Sequence, residues 1–304
     1  MLALEQAFNG VQFGIMLFLM AAGLTLVFGT MNMINLAHGS LYMIGAYVSA
    51  ATLAGTGSFL LAIAAGLLAA LAIGVGVERL VFRTLYSRDH LDQVLATFGL
   101  ILIFNEAVRM VFGASALYAE PPPFLAGQVT IFPEAPYPAY RLAIIAVGLL
   151  VALLLYLLIG HTRLGMLIRA GASNRVMVAA MGVNITLLYT MLFGLGALIA
   201  GLAGIMAGPI FAIESGMGEG VLILAFVVIV VGGIGSLQGA FLAALLIGVV
   251  DAMGRAYLRP LLGLVMSRSA ADNAGPALAS MLIYILMASV LFFRPQGLFP
   301  PRSR

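Results

Sequence analysis

Apolar residues fall into nine runs separated by short polar segments: 13–28, 41–54, 59–77, 94–112, 142–159, 185–207, 221–234, 241–257 and 277–293. A helix needs about 20 apolar residues to cross the hydrocarbon core of a bilayer. The runs 41–54 and 221–234 are shorter, so we expect each to form a broken or re-entrant helix packed inside a bundle. The pattern predicts an all-α, polytopic transmembrane bundle with eight to ten spans.

Composition supports this class of protein. Hydrophobic residues make up 63% of the 304 positions and charged residues 8%, whereas soluble domains use about 25% charged residues. We therefore expect one transmembrane domain over residues 1–304, with no room for a separate soluble enzyme domain. No basic residue precedes the first run, so it does not resemble a cleaved signal peptide and we expect it to be retained.

Several kinds of chemistry are excluded because residue types are missing. The sequence has no Cys, and all 14 basic residues are Arg. Without Lys there is no phosphate-binding loop of the Walker type, and no Lys to form a Schiff base with a cofactor. The three histidines lie in separate segments and no protease motif is present. We predict no catalytic residue, no metal site and no cofactor, and the scattered arginines give no nucleic-acid-binding face.

Arginine-rich segments alternate with acidic ones. Segments 78–93, 161–184 and the tail hold Arg79, Arg83, Arg88, Arg163, Arg169, Arg175, Arg294, Arg302 and Arg304, whereas 113–141 and 208–220 hold Glu120, Glu134, Glu214 and Glu219. Because cytoplasmic loops are enriched in basic residues, we expect a periplasmic N-terminus and a cytoplasmic C-terminus. This topology places the segment 255–268 outside although it has three arginines. Any error in the span count is therefore expected there.

The first and sixth runs share a feature. Each long helix leads into a glycine-marked break, at 39–45 and at 218–223, followed by a short run. Because the two copies would have opposite orientations, the pattern indicates an inverted repeat of the kind found in transporters. Glycine-rich breaks are also common in membrane helices, so packing alone is the alternative.

Two polar segments are candidates for function. Segment 32–47 contains Asn35 and His38 between apolar runs, and indicates either a polar turn at the mouth of a pathway or an interfacial loop with a tyrosine belt. Segment 161–182 is amphipathic, with two short helices expected to meet at 171–174 and Ser173 as the N-cap of the second. It could lie in the headgroup layer or dock on a soluble partner.

Charged pairs occur inside two runs. Glu106 and Arg109 are three residues apart, and Asp251 and Arg255 are four apart. Residues at these spacings meet on a helix, so we predict two structural ion pairs. A proton relay through Glu106 is the alternative.

Five segments together resemble a known family. They are 36–47, 90–100, 162–182, 231–236 and 294–299, and their order and spacing are similar to those of the LivH-type permease subunits of branched-chain amino acid ABC importers. The resemblance covers essentially the whole chain.

The resemblance implies a bacterial inner-membrane subunit that works with a LivM-like second permease, two cytoplasmic LivG- and LivF-like ATPase subunits, and a periplasmic substrate-binding protein. It implies that segment 161–182 couples to an ATPase, through Arg163, Gly165, Arg169, Asn174, Arg175 and Gly182. The residues expected on the translocation pathway are Asn35, His38, Gly39, Tyr42, Gly232, Gly233, Gly235 and Ser236.

The substrates implied are branched-chain amino acids. Transport of urea or short amides, as in relatives within the family, remains an alternative because no residue in the sequence distinguishes between these substrates. A stand-alone proton-coupled carrier using Glu106 and an intramembrane enzyme are further alternatives from other classes.

Overall fold

A computed structural model describes residues 2–86, 88–132 and 135–299. The helices are α1 Leu2–Met31, α2 His38–Thr56, α3 Phe59–Val77, a π-helical turn Glu78–Phe82, α4 Arg83–Leu85, α5 His90–Phe112, α6 Ala139–His161, α7 Arg163–Ser173, α8 Arg175–Ala180, α9 Ile185–Ala207, α10 Met217–Gly232, α11 Leu237–Leu262 and α12 Arg268–Phe293. The predicted topology markers Glu134, Arg302 and Arg304 lie outside the described residues.

The predicted bundle of membrane helices is confirmed. Eight of the nine apolar runs lie within helices, and the run 221–234 extends two residues past the end of α10 at Gly232. In the described part of the chain seven helices are long and apolar enough to cross a bilayer. The two short runs correspond to α2 and α10, which are not among the seven. α2 has 19 residues but includes polar ones from its first turn onwards, and α10 has 16 residues.

Several helices extend beyond their apolar runs, and two of these extensions bury polar residues. The span that begins at Phe59 continues through the π-helical turn to Leu85, eight residues beyond the end of the apolar run, because its last two turns place polar residues against the neighbouring α9. α2 begins at His38 rather than at residue 41. Glu78 in the first extension and His38 and Ser40 in the second are buried, whereas Arg79 and Arg83 remain exposed.

A small hairpin interrupts the helical pattern in the segment predicted as a loop. Strands β1 Gln128–Phe132 and β2 Ala135–Pro138 are antiparallel, with Val129 opposite Tyr137. The Tyr137 hydroxyl donates a 3.1 Å hydrogen bond to the side-chain oxygen of Asn9, which also accepts from Arg141 at 2.5 Å. The hairpin is thereby attached to the first turns of α1.

The chain divides into two compact units. The first contains residues 1–18, 123–149 and 225–304, and the second contains 19–122 and 150–224. In the first unit, α11 packs against α12, and Phe18 meets Phe241 edge to face at 5.0 Å between ring centroids. In the second, α2, α3 and α9 pack together, and Met43, Ala46 and Tyr47 are fully buried.

The expected error in span count near 255–268 does not occur. α11 and α12 are joined directly by residues 263–267, so no helix intervenes. Two of the three arginines there have acidic partners: Arg255 lies 2.9 Å from Asp251, and Arg259 lies 2.6 Å from Asp272. The positive charge that opposed the predicted topology is thus partly neutralised by pairing.

Candidate functional site

The second unit contains a junction where the starts of two helices meet. After α1, the chain breaks at residues 32–37 before α2, and after α9 it breaks at 208–216 before α10. A side chain built on Gly39 would place its Cβ 2.6 Å from the carbonyl oxygen of Gly218. The N-terminal turns of α2 and α10 are therefore in backbone contact, and only glycine fits there. We call residues 35–43 and 215–219 the helix junction.

Contacts from α5 close the junction. The Asn105 side-chain amide donates a 2.7 Å hydrogen bond to Glu219, and the Ser215 hydroxyl donates to the Asn105 carbonyl at 3.2 Å. The space that remains has a volume of about 10 Å³, lined by Leu36, Gly39, Ser40, Met43, Ile101, Asn105, Gly216, Gly218 and Glu219. This volume holds about one water molecule, so the junction is shut to anything larger.

Two buried polar side chains lie at the junction. Asn35 is 0% and His38 1% exposed. One imidazole nitrogen of His38 donates to the Met20 carbonyl, but Nε2 of His38 and both polar atoms of the Asn35 amide have no hydrogen-bond partner among the described residues. A buried polar group without a partner costs about 1–3 kcal/mol, and inside a membrane such groups mark pathways for polar solutes.

The interfacial-loop interpretation of segment 32–47 is wrong. His38, Gly39 and Tyr42 belong to the first turns of α2, and Tyr42 and Tyr47 are buried rather than arranged in a belt. The tyrosines are enclosed because α2 packs on both α3 and α9.

The other residues expected on the pathway lie in the first unit. Gly233 and Gly235 have φ angles of 104° and 80°, which favour glycine, and the Ser236 hydroxyl accepts from Gly239 N–H as the N-cap of α11. The last carbonyls of α10, at Val231 and Gly232, accept hydrogen bonds from the backbone of Leu298 and Phe299. Turn geometry thus accounts for glycine at positions 233 and 235 and for serine at position 236. The two groups of residues expected on the pathway fall in different units.

The amphipathic segment forms two short helices as predicted, but with a different cap. Thr162 caps α7 by accepting from Gly165 N–H at 3.1 Å. α8 is capped by Asn174, whose side chain accepts from Met177 N–H at 3.0 Å, and not by Ser173. Ser173 is still the last residue of α7, whereas Asn174 has the extended backbone that an N-cap requires.

The residues expected to couple to an ATPase divide into two groups. Gly165 and Arg169 hold α7 against α6: the Arg169 guanidinium donates to the Ile159 carbonyl, and a Cβ on Gly165 would collide with the last carbonyls of α6. The others, Arg163, Asn174, Arg175 and Gly182, are exposed, as is the Arg169 side chain.

Apolar side chains of α8 and its C-cap residue Met181 are exposed. Val176 is 73% exposed, Met177 60% and Met181 78%, whereas Val178 points into the protein. A face of this kind next to Arg175 is typical of a docking surface.

Both predicted ion pairs have the expected geometry. Arg109 lies 3.1 Å from Glu106, with both side chains more than half exposed, and Arg255 lies 2.9 Å from the buried Asp251. Their structural role stays a prediction.

Glu78, which no sequence pattern singled out, is a fully buried carboxylate at the start of the π-helical turn. It accepts hydrogen bonds from Arg83 and Tyr86 in its own segment and from Thr190 of α9. Burial and the bond to Glu78 raise the pKa of Tyr86 above its usual value, so the hydroxyl remains a donor. Glu78 was overlooked because residues five apart do not face each other on an α-helix.

A polytopic helical membrane protein with broken helices and an exposed amphipathic segment is the class that this fold and site define. The family model described as "Branched-chain amino acid transport system / permease component" matches residues 6–291. The chain belongs to this permease family, and is therefore a multi-pass transport component of the inner membrane.

Curated relatives match along most of their lengths. The chain is 32% identical to the high-affinity branched-chain amino acid transport permease LivH of Escherichia coli, covering 84% of this chain and 87% of the relative. It is 32% identical to BraD of Pseudomonas aeruginosa, covering 97% and 95%, and 26% identical to the probable LivH of Methanocaldococcus jannaschii, covering 93% and 88%. No solved structure matches the chain.

Proposed function

We propose that this chain is the substrate-translocating permease subunit of an ATP-driven importer of branched-chain amino acids. The observation that carries the proposal is the match over residues 6–291 to permease components of such systems, together with relatives at 32% identity named for branched-chain amino acids. The buried polar groups and the closed helix junction support a role in translocation.

Energy and substrate delivery come from other chains. The sequence has no Lys and so lacks the P-loop lysine that holds ATP phosphates. The partners are two LivG- and LivF-like ATPase subunits in the cytoplasm, a LivM-like second permease and a periplasmic binding protein. The exposed face Val176, Met177 and Met181, flanked by Arg175, is the surface that docks on an ATPase.

The mechanism is alternating access. ATP binding draws the ATPase subunits together and displaces α7 and α8, and this movement separates Asn105 from Glu219 so that the junction opens. A branched-chain amino acid has an apolar side chain and a zwitterionic head group. Apolar walls accept the side chain, while Asn35 and Nε2 of His38 form transient hydrogen bonds with the head group.

The alternatives have less support. The relatives' names refer to branched-chain amino acids rather than urea or amides. A proton-coupled carrier would require an acid that gains and loses a proton within the pathway, but Glu106 is paired with Arg109 and lies on the outer surface of α5.

Reconstitution tests the proposal. Proteoliposomes that contain the permease pair and both ATPases should accumulate labelled leucine, isoleucine and valine only with ATP inside and binding protein outside. Proteoliposomes with this chain alone are the control and should accumulate none. Uptake by the chain alone, or uptake of urea or acetamide in place of leucine, would contradict the proposal.

A further inference from the structure

The π-helical turn brings Glu78 and Arg83 together. Successive residues of an α-helix are about 100° apart, so residues five apart would point roughly 140° away from each other. In a π turn the backbone bond joins residues i and i+5, and here Arg83 N–H bonds to the Glu78 carbonyl. The two side chains consequently meet, with Arg83 Nε 3.3 Å from Glu78 Oε1.

Thr190 connects this pair to α9. Its hydroxyl lies 2.8 Å from Glu78 Oε2 and 2.9 Å from the Thr186 carbonyl, and it accepts a 3.1 Å hydrogen bond from Arg83 Nη2. The single hydroxyl proton goes to the carboxylate, because a charged acceptor forms the stronger bond. One hydroxyl therefore contacts both members of the ion pair on the neighbouring helix.

Aromatic contacts lie on either side of this polar link. Phe82 meets Phe193 with ring centroids 4.9 Å apart, and Tyr86 meets Tyr189 at 5.3 Å. Glu78 is 0% exposed, and a buried charge is tolerated only when it is paired and hydrogen-bonded. The cytoplasmic end of α3 is thus fixed against the first two turns of α9.

The same turns of α9 contact the amphipathic segment. A Cβ on Gly171 of α7 would lie 3.4 Å from Leu188, two residues before Thr190. α9 is the next helix after α8 and begins at Ile185, with residues 181–184 between them. Asn184 caps α9 by accepting a 3.0 Å hydrogen bond from Leu187 N–H. A displacement of α7 and α8 reaches the start of α9 both along the chain and through this packing contact.

We infer that Glu78 and Thr190 are positioning residues that make α3 and α9 move together, so that displacement of α7 and α8 enters the transmembrane bundle through both helices. This inference rests on the proposed function. Packed side chains and hydrogen-bond networks can carry coupling between distant sites, and the link between Glu78 and Thr190 supplies such a connection where the amphipathic segment joins the bundle.

A matched pair of substitutions tests the inference. Thr190→Val keeps the shape of the side chain and leaves the contacts of Glu78 with Arg83 and Tyr86, but removes the hydroxyl that joins the helices. In the reconstituted complex we expect Thr190→Val to lower leucine uptake per ATP hydrolysed about tenfold, within the usual range of coupling effects. Thr190→Ser retains the hydroxyl and should retain coupling.

Thr97→Val is the control, because Thr97 is fully buried and bonds only to carbonyls of its own helix, Gln93 and Val94. It should leave the ratio of uptake to hydrolysis unchanged. A Thr190→Val complex with the wild-type ratio would overturn the inference while leaving the proposed function intact. A wild-type complex without ATP-driven uptake would instead overturn the proposed function.

A second measurement does not require any variant of Thr190. Arg79 and Leu187 line the same groove of about 430 Å³ between α3 and α9, and the sequence has no Cys, so spin labels on Arg79→Cys and Leu187→Cys report the distance between the two helices. We expect this distance to stay constant when ATP binds the otherwise wild-type complex. A change in it would refute the inference.

Discussion

At Gly45, the backbones of two helices of the second unit approach as closely as atoms allow. A Cβ added to this residue of α2 would lie 2.5 Å from the carbonyl oxygen and 2.7 Å from the Cα of Gly201 in α9. Since both obstructing atoms belong to backbone, a methyl group cannot be accommodated by a change of rotamer. One helix would have to shift.

We therefore expect Gly45→Ala to destabilise the protein by about 1–3 kcal/mol, the usual cost of overpacking. Gly55→Ala in the same helix is the control: nothing lies within 4 Å of a Cβ there, and replacing a helical Gly with Ala gains about 0.5–1 kcal/mol. Thermal unfolding in detergent measures both. Equal melting temperatures for the two variants would show that α2 and α9 do not touch at Gly45.

The sequence could show which polar residues stand out among apolar runs, but it could not show the contacts that those residues make. Asn35 and His38 stand out as polar residues between apolar runs, and they are buried at the helix junction. Glu78 did not stand out because its partner Arg83 is five residues away, and only a π turn, which leaves no clear pattern in the sequence, brings the two together.

At the level of elements, α8 depends strongly on its cap. It has six residues, fewer than a helix needs to be stable without tertiary support, and Val178 is its buried apolar anchor. The Asn174 side chain satisfies the N–H of Met177, which would otherwise lack a partner in the first turn.

Asn174→Ala should cost about 1 kcal/mol and speed hydrogen exchange at Met177 and Val178 relative to wild type. Ser173→Ala provides the comparison, because the exposed Ser173 ends α7 and does not cap α8. Exchange at these amides measured by mass spectrometry should separate the two variants. If Ser173→Ala had the larger effect, the cap would be assigned to the wrong residue.

Most elements follow from periodicity, and the exceptions have physical causes. Each of the nine apolar runs forms a helix over most of its length because burial of apolar side chains in lipid and protein outweighs local preferences. The boundaries of α2 and the span Phe59–Leu85 were misjudged because buried polar side chains there are satisfied or enclosed by neighbouring helices. The hydrophobic periodicity of a single segment does not reveal such tertiary contacts. The hairpin of β1 and β2 was missed because strands of five and four residues are too short to appear among runs that could cross a bilayer.

At the level of the whole molecule, the distribution of arginine predicts the orientation in the membrane. Segment 161–184 should face the cytoplasm and segment 113–141 the periplasm. Val176 and Tyr118 represent these segments, since their side chains are 73% and 79% exposed. Because the sequence has no Cys, a single introduced Cys gives an unambiguous labelling signal.

We expect Tyr118→Cys to react with an impermeant maleimide in intact spheroplasts, and Val176→Cys to react only after the membrane is opened. Assembly with the ATPase subunits should then protect Val176→Cys and leave Tyr118→Cys reactive. If Val176→Cys were labelled from outside, the predicted topology would be inverted. If the ATPases did not change its labelling, α8 would not belong to the docking surface.

The bonds from Leu298 and Phe299 to the last carbonyls of α10 have a consequence for biogenesis. Translation releases Val231 and Gly232 more than sixty residues before the segment that completes their hydrogen bonding. In a nascent chain that has emerged only as far as Phe293, these two carbonyls therefore lack their backbone partners. The end of α10 therefore acquires its native hydrogen bonds only once residues 298–299 have been made and have reached it.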